Sequence, residues 1–415
     1  MGSGTQEFAD ESYELGIVRG ALQRYPELTE LVGETVFSPE SHASANEQQT
    51  FGATLFPDAA PDQLIEFDRT ALSLVLLDEV FNGDYDKFTE SQAGPNKLPK
   101  ELFDNIGDFY RTNFDTPEKR DLLEYYIVIN DIGKSQKRLA QLEEQGIEVA
   151  DHDEALTELL KLGTLPTMDT LSEQDRRSLE NVLTYGVNVG QLMQGESVDY
   201  DFRDLNNLSE FERNLMLGEA IIDIAGVAGA TNQRGSVVLN RPTAENFLLA
   251  AGAIQRQGGS PEMYDDFLSS KAELLDIAET DHDTRRAITR VCLMARLNTP
   301  SDVAVVENYF AQTSGQNDSF IAEMCETGYG DKPAILPYYS PAVISNALGF
   351  YKKAGVGNPL EATLAKVIPF LQRSIDETRA IHADQHGNGV LTLQLRDAAL
   401  ATAANPDELD NVVIK

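Results

Sequence analysis

The chain has 415 residues, 41% of them hydrophobic, which is enough apolar material to bury a large core. Its 68 acidic and 33 basic residues give a net charge of −35, and such a surface repels nucleic acid and anionic lipid, whose phosphates bind clustered Lys and Arg. The chain contains no run of about 18 apolar residues, its first residues do not predict a secretory signal, and its two cysteines form no CxxC motif, so we expect a cytoplasmic protein that binds neither membrane nor nucleic acid.

Apolar residues at spacings of three and four predict helices along most of the chain. In chain order the predicted helices cover residues 11–24, 61–80, 102–111, 117–129, 134–144, 155–161, 172–193, 211–226, 244–255, 261–277, 284–297, 300–311, 341–353 and 359–382. The only strand candidate is a short one at 237–239, and the Gly, Pro and Tyr residues of 329–341 predict a loop. The sequence therefore predicts an all-α fold.

We expect three regions along this helical chain. Residues 1–59 form an N-terminal helical extension, residues 60–243 a helical core, and residues 244–415 a C-terminal helical region packed on that core.

The most unusual segment is YYIVINDIGK, residues 125–134. Five apolar or aromatic residues run directly into Asn130 and Asp131, and Gly133 and Lys134 follow at once. Elsewhere the sequence does not join a buried segment so abruptly to an amide, a carboxylate, a glycine and a lysine. The functional site is therefore expected here.

Two known motifs match this segment poorly. A P-loop ends in Gly-Lys-Ser, as this segment does, but needs a glycine at position 128, where the chain has Val128, and small residues that can wrap phosphate. The metal-binding triad of class I terpene cyclases needs Ser four residues after its first Asn and Glu four further on, whereas this chain has Lys134 and Arg138 there. The chain also lacks an upstream DDxxD segment.

The segment resembles the HD-superfamily phosphohydrolases, over roughly residues 60–245. In that family a His-Asp pair followed by Ile-Gly-Lys ends a buried helix, a His-containing helix comes next, and a further Asp comes later. The order here is Asn130-Asp131-Ile132-Gly133-Lys134, then His152, then Asp223. The resemblance implies an HD-like helical core extended by a C-terminal helical region.

The resemblance also implies a chemistry. Asp131, His152 and Asp223 would bind a divalent metal, which lowers the pKa of a bound water and polarises a phosphoryl oxygen. Asp131 would hold the metal or act as a base, and Asn130 and Lys134 would contact a small anionic, phosphorylated substrate. The family's histidine at position 130 is Asn here, and residues 51–129 contain no His. Mg²⁺, Mn²⁺, iron and no metal at all therefore all stay open.

The remaining polar candidates lie outside this segment. Asn188, Gln191 and Gln194 share one face of the predicted helix 172–193 and would line a substrate pocket or join helices through hydrogen bonds. Arg234 lies on a polar loop from which it would reach an anion.

Three alternatives to the hydrolase stay open. The first is a non-catalytic protein that binds a small metabolite, and the second is an all-α lyase or cyclase acting on an allylic diphosphate. In the third, the site is purely structural: Asp131 caps the following helix, and His152 is a satisfied half-buried residue.

Overall fold

The structure, a computed structural model, describes residues 12–35 and 50–414. These residues are predominantly helical, so the all-α prediction is confirmed. Parts of the predicted N-terminal extension, residues 1–11 and 36–49, lie outside the described residues. Among those described, no helix is both long and apolar enough to cross a membrane.

The described chain forms two compact units. The first contains the residues up to Gly186 together with Leu208–Ala244, and the second contains Val187–Asn207 together with the residues from Glu245 onward. Each unit therefore consists of two separate pieces of the sequence.

Several of the helices begin at a residue whose side chain caps the first turn. Before the first break between the units the helices are α1 Tyr13–Arg24, α2 Phe51–Leu55, α3 Ile65–Asn82, α4 Tyr85–Phe88, α5 Lys100–Asn113, α6 Pro117–Ile129, α7 Gln136–Glu144, α8 His152–Lys161 and α9 Glu173–Tyr185. The helices α1, α2, α6, α8 and α9 are among those with such a cap. Asp151 shows the pattern, since its side chain accepts a hydrogen bond from the Glu154 N–H and starts α8.

The later helices complete the fold. They are α10 Val189–Met193, α11 Glu210–Gly226, α12 Arg241–Gln257, α13 Met263–Leu274, α14 His282–Met294, α15 Pro300–Gln312, α16 Asp318–Cys325, α17 Ser340–Lys353, α18 Pro359–Ile381 and α19 Arg396–Ala404. Short 3-10 helices occupy Pro26–Leu31, Pro61–Gln63, Gly94–Asn96, Ile132–Lys134, Pro166–Thr170, Asp199–Asn207 and Pro406–Asn411. Ser209 and Glu212 form a reciprocal capping box that starts α11.

Two strands form a small parallel sheet in the second unit. β1 Ala334–Tyr338 pairs with β2 Val390–Gln394, with Ala334 opposite Val390. The loop predicted at 329–341 was thus partly wrong, because a five-residue strand lies within it. The strand predicted at 237–239 is absent, and those residues form bends.

The helix predicted at 172–193 was also wrong, because it is two helices. α9 ends before Gly186, whose backbone is extended, with φ −66° and ψ 167°. Asn188 then caps the short α10, accepting a hydrogen bond from the Gln191 N–H. A new cap directly after an extended glycine ends one helix and begins another.

α3 lies at the centre of the first unit and is buried along most of its length. The C-terminal end of α11 lies directly against it. A Cβ on Gly226 would come 2.0 Å from the Ser73 Oγ, and a Cβ on Gly229 would come 2.2 Å from the Asp68 carbonyl oxygen. Only glycine permits this approach, which places the last turns of α11 beside the first turns of α3.

A buried arginine organises the second unit. Arg290, on α14, is fully buried and donates hydrogen bonds to the carbonyl oxygens of Gly195, Glu196 and Met324. Arg286, one turn earlier, pairs with Asp199. These bonds attach the segment 187–207 to the core that α14 forms with the later helices of the same unit.

Candidate active site

The segment predicted as the site lies where α6 ends. Its backbone runs from α6 through Asn130 and Asp131 into the 3-10 helix Ile132–Lys134. A Cβ on Gly133 would lie 2.0 Å from the carbonyl oxygen of His152, so the segment packs directly against the first residue of α8. Gly133 is therefore required for close packing, which brings Asp131 and Lys134 near the beginning of α8.

Lys134 is the centre of a buried ionic group. Its Nζ lies 2.6 Å from the Asp131 Oδ1 and 3.3 Å from the Glu66 Oε2 on α3. Lys134, Asp131 and Glu66 are 6%, 4% and 0% exposed. Asp131 thus pairs with lysine, and its side chain makes no capping hydrogen bond to the following helix.

The cations of this group keep Asp131 ionised. Burial alone would raise the pKa of Asp131, but Lys134 and then Arg69 lower it well below its usual range. Burial lowers the pKa of Lys134, but the charges of Asp131 and Glu66 raise it by more, so the pKa lies above its ordinary value. Arg69, one turn after Glu66 on α3, has its NH1 3.3 Å from the Glu66 Oε2.

Two further carboxylates reach this group from α11. Glu219 and Asp223 are four residues apart, so they share one face of the helix. Burial and then repulsion from Asp223 and Asp131 raise the pKa of Glu219 well above its ordinary value. Burial and then repulsion from Asp131 raise the pKa of Asp223 as well.

One oxygen of Glu219 has no hydrogen-bonding partner among the described residues. Glu219 is 5% exposed, and its Oε1 is buried without a donor. A buried polar atom without a partner costs about 1–3 kcal/mol. An unpartnered carboxylate oxygen held beside other carboxylates is the arrangement expected where a cation or a proton is to be bound.

The site reaches solvent at the beginning of α8. The side chain of Asp153 is 66% exposed, although the charges of Asp131 and Lys134 both act on it. His152 is half-buried, and its Nε2 lies 3.5 Å from the Asp153 Oδ1. Asp153 therefore belongs to the same electrostatic group and forms its solvent-facing side.

These acidic residues are named the carboxylate cluster. They come from α3, the turn after α6, α8 and α11, and they are Glu66, Asp131, Asp153, Glu219 and Asp223. Two cations, Lys134 and Arg69, act on these five carboxylates. If all five carboxylates were ionised and both cations charged, the group would carry a net charge of −3. Burial, together with this excess of negative charge, raises the pKa of Glu219.

The carboxylates of the cluster are a ligand type found in metal sites, but they are not arranged as a metal site. Among residues 12–35 and 50–414, no three His, Cys, Asp or Glu side chains are close enough to hold a metal ion as they stand. Carboxylate oxygens bind hard divalent cations such as Mg²⁺. Rotamer changes of Asp153, Glu219 and Asp223 would have to bring their oxygens around such an ion.

Comparison with known proteins places the chain in a family. The sequence model of a family of unknown function, DUF6829, matches residues 23–402. The chain belongs to this family. No curated protein and no solved structure matches it. The family match covers pieces of both units.

The structure brings some of the predicted site residues of this DUF6829 chain together. Asp131, Lys134 and Asp223 interact electrostatically in the cluster, and His152 lies at its solvent-facing side. Asn130 is half-buried, and its N–H donates to the Tyr126 carbonyl oxygen at the end of α6.

The remaining predicted residues have other roles. Asn188 caps α10, and Gln194 donates to the Gly190 carbonyl oxygen and accepts from Arg296. These two amides and the half-buried Gln191 belong to the second unit, where the hydrogen bonds of Asn188 and Gln194 stabilise a turn. The side chain of Arg234 is 78% exposed and lies 3.7 Å from the Glu90 Oε1.

Sequence reasoning missed most of the carboxylates in the DUF6829 site. Glu219 had a local signal, because it precedes Asp223 by four residues within an apolar helix. Glu66 and Arg69 had a similar signal, since they are charged residues three apart at the beginning of the buried helix α3. Asp153 had none, because acidic residues are common in the first turn of any helix.

Proposed function

We propose that this protein is a divergent, metal-dependent hydrolase that acts on a small phosphorylated substrate, with the carboxylate cluster binding a hard divalent cation. The observation that carries the proposal is the Oε1 of Glu219, buried without a partner beside carboxylates whose charge exceeds that of Lys134 and Arg69. A bound cation would supply both the missing partner and the missing positive charge.

The chemistry follows from this charge balance. Without a bound divalent ion the cluster would repel a phosphorylated substrate, because its carboxylates outnumber the cationic side chains of Lys134 and Arg69. A divalent ion supplies a water of lowered pKa and a Lewis acid for a phosphoryl oxygen. Asp131, Glu219 and Asp223 would hold the ion, and the exposed Asp153 and half-buried His152 would face the incoming substrate.

In this proposal Lys134 holds the ligands in position. Its ammonium group is buried and pairs with Asp131 and Glu66, so it sets the orientation of Asp131. This differs from the role in substrate binding that the resemblance implies for it. We place the activity in the cytoplasm, since Cys292 and Cys325 are free thiols.

Calorimetric titration of the full chain with Mn²⁺, with hydrolysis of p-nitrophenyl phosphate as a second readout, tests the proposal. Glu219→Gln and Asp223→Asn are each expected to weaken Mn²⁺ binding about tenfold or more and to abolish any hydrolysis. Glu79→Gln is the matched control. Glu79 is also on α3, is 4% exposed, has an oxygen without a hydrogen-bonding partner, and has its pKa raised to about 8, chiefly by burial.

Glu79 lies about 20 Å from Glu66 along the helix, at a rise of about 1.5 Å per residue. Its substitution should leave Mn²⁺ affinity unchanged. A wild-type protein that binds neither Mn²⁺ nor Mg²⁺ at millimolar concentration would overturn the proposal. So would a Glu79→Gln variant that loses as much affinity as Glu219→Gln, because the binding would then not be local to the cluster.

A further inference from the structure

A groove in the second unit runs along one face of α18 and has a volume of about 520 Å³. The residues that α18 contributes recur at spacings of three and four, so they form a single stripe on the helix. They are Pro369, Gln372, Arg373, Asp376, Glu377 and Ala380. Tyr309 on α15 and the two residues before α16 line the groove as well. The stripe is about 16 Å long at a rise of about 1.5 Å per residue, which suits an extended ligand.

The polar groups in the middle of this stripe leave one acceptor without a donor. The Nε2 of Gln372 donates to the Asp376 Oδ1 at 2.8 Å and to the Ser319 Oγ at 3.0 Å. The Oε1 of Gln372 is buried and has no hydrogen-bonding donor among the residues that the structure describes. An amide oxygen in that state has lost its hydrogen bonds to water without replacement, so a ligand that brings an N–H donor is favoured here.

The charges that line the groove do not balance. Among the described residues that line it, Asp376 and Glu377 are exposed carboxylates and Arg373 is the cation. Arg373 is already engaged, since its NH2 donates to the Leu409 carbonyl oxygen at 2.7 Å and its Nε lies 3.9 Å from the Glu377 Oε1. Two carboxylates and one guanidinium leave one negative charge, so the groove attracts a ligand with a single positive charge.

We propose that this groove binds a primary alkylammonium compound, with the ammonium group beside Asp376 and Gln372 and the hydrocarbon chain along the stripe toward Pro369. An ammonium group has three N–H donors. It would take the place of the Gln372 Nε2 at Asp376 and donate to the Gln372 Oε1 as well. The groove belongs to the second unit and the carboxylate cluster to the first, so this site goes beyond the proposed function and needs no metal.

Titration of the full chain with n-butylammonium, followed by calorimetry and saturation-transfer NMR, tests this site. High ionic strength suppresses weak binding to the acidic surface, and we expect one saturable equivalent per chain. Butyltrimethylammonium is the matched ligand, because it has the same charge and chain but no N–H donor, and it should bind at least about fivefold more weakly. Asp376→Asn alters an exposed side chain, so the variant should fold. We expect it to bind n-butylammonium about tenfold more weakly or worse.

Glu361→Gln is the control variant. Glu361 is an exposed carboxylate in the first turn of the same helix, and it lies about 22 Å from Asp376 along the helix at a rise of about 1.5 Å per residue. Affinity kept in Glu361→Gln and lost in Asp376→Asn supports the proposal. An absence of saturable binding, or an unchanged affinity in Asp376→Asn, overturns it. An equal loss in both variants also overturns it, because the charge of the whole surface would then hold the cation. Equally tight binding of butyltrimethylammonium would overturn the part that the N–H donors play.

Discussion

Gly133→Ala tests whether close packing of the NDIGK segment on α8 builds the site. The added Cβ would lie 2.0 Å from the His152 carbonyl oxygen, 2.9 Å from its carbon and 3.1 Å from the Leu156 nitrogen. Real Cβ contacts are essentially never shorter than 3.0 Å. The backbone of α8 must therefore move away from the segment by roughly the missing ångström.

The expected loss of stability follows from this displacement. Overpacking a core usually costs about 1–3 kcal/mol, and more where nothing can yield. Here the obstructing atoms belong to the backbone of a helix, so we expect about 3 kcal/mol or more. Domains of this kind are stable by about 5–15 kcal/mol, so the loss would be easily measured.

Urea denaturation followed by circular dichroism measures the loss, and hydrogen–deuterium exchange localises it to peptides from α6 and α8. Gly20→Ala, in α1, is the control, because a Cβ there has nothing within 4 Å. It should leave stability unchanged or raise it by about 0.5–1 kcal/mol. If Gly133→Ala were as stable as Gly20→Ala, the close packing against His152 would be wrong.

Two further substitutions each test one buried charged residue, Lys134 in the first unit and Glu196 in the second. Lys134→Met leaves Asp131 and Glu66 buried without their cation. We expect the substitution to lower the free energy of unfolding, measured with urea, by about 3–5 kcal/mol. Lys161→Met, which removes one partner of an exposed ion pair, is the control and should cost less than about 1 kcal/mol. Mn²⁺ should restore part of the loss. Burial raises the pKa of Glu196 from 4.5 to about 7, so the folded protein holds a proton that the unfolded chain releases between these values. This stabilisation is complete below about pH 4.5 and is lost as the pH rises through 7, by up to about 3 kcal/mol. The wild type should therefore lose more stability than Glu196→Gln between pH 5 and 8, and equal pH profiles would contradict this.

Local sequence signals predicted most of the helices. They did not predict elements that form only through contact with a segment distant in the sequence, such as β1. β1 contains Pro337 and lies in a segment rich in Pro and Tyr, so its sequence predicts a loop. It becomes a strand because residues 390–394, more than fifty positions later, pair with it. Gly186 gave a usable local signal, since an extended glycine before the cap Asn188 ends a helix.

The same distinction applies to the site. Asp131 and Lys134 could be found because an apolar helix ends directly in them. Their pairing with Glu66 could not be predicted, because Glu66 lies 68 positions earlier and reaches Lys134 through the packing of α3. The sequence did not show that Lys134 would be neutralised by carboxylates, since an ion pair depends on which helices meet.

Asn130 and Glu219 point in one chemical direction. Each offers a side-chain oxygen, and oxygen ligands suit hard cations. Glu219 is buried with an unpartnered oxygen, which costs stability unless that oxygen binds something. An apolar residue at position 219 would relieve this cost, so the buried glutamate is accounted for if its oxygen binds a proton or a cation. The proposed cation site supplies the partner that the Glu219 Oε1 lacks among the described residues.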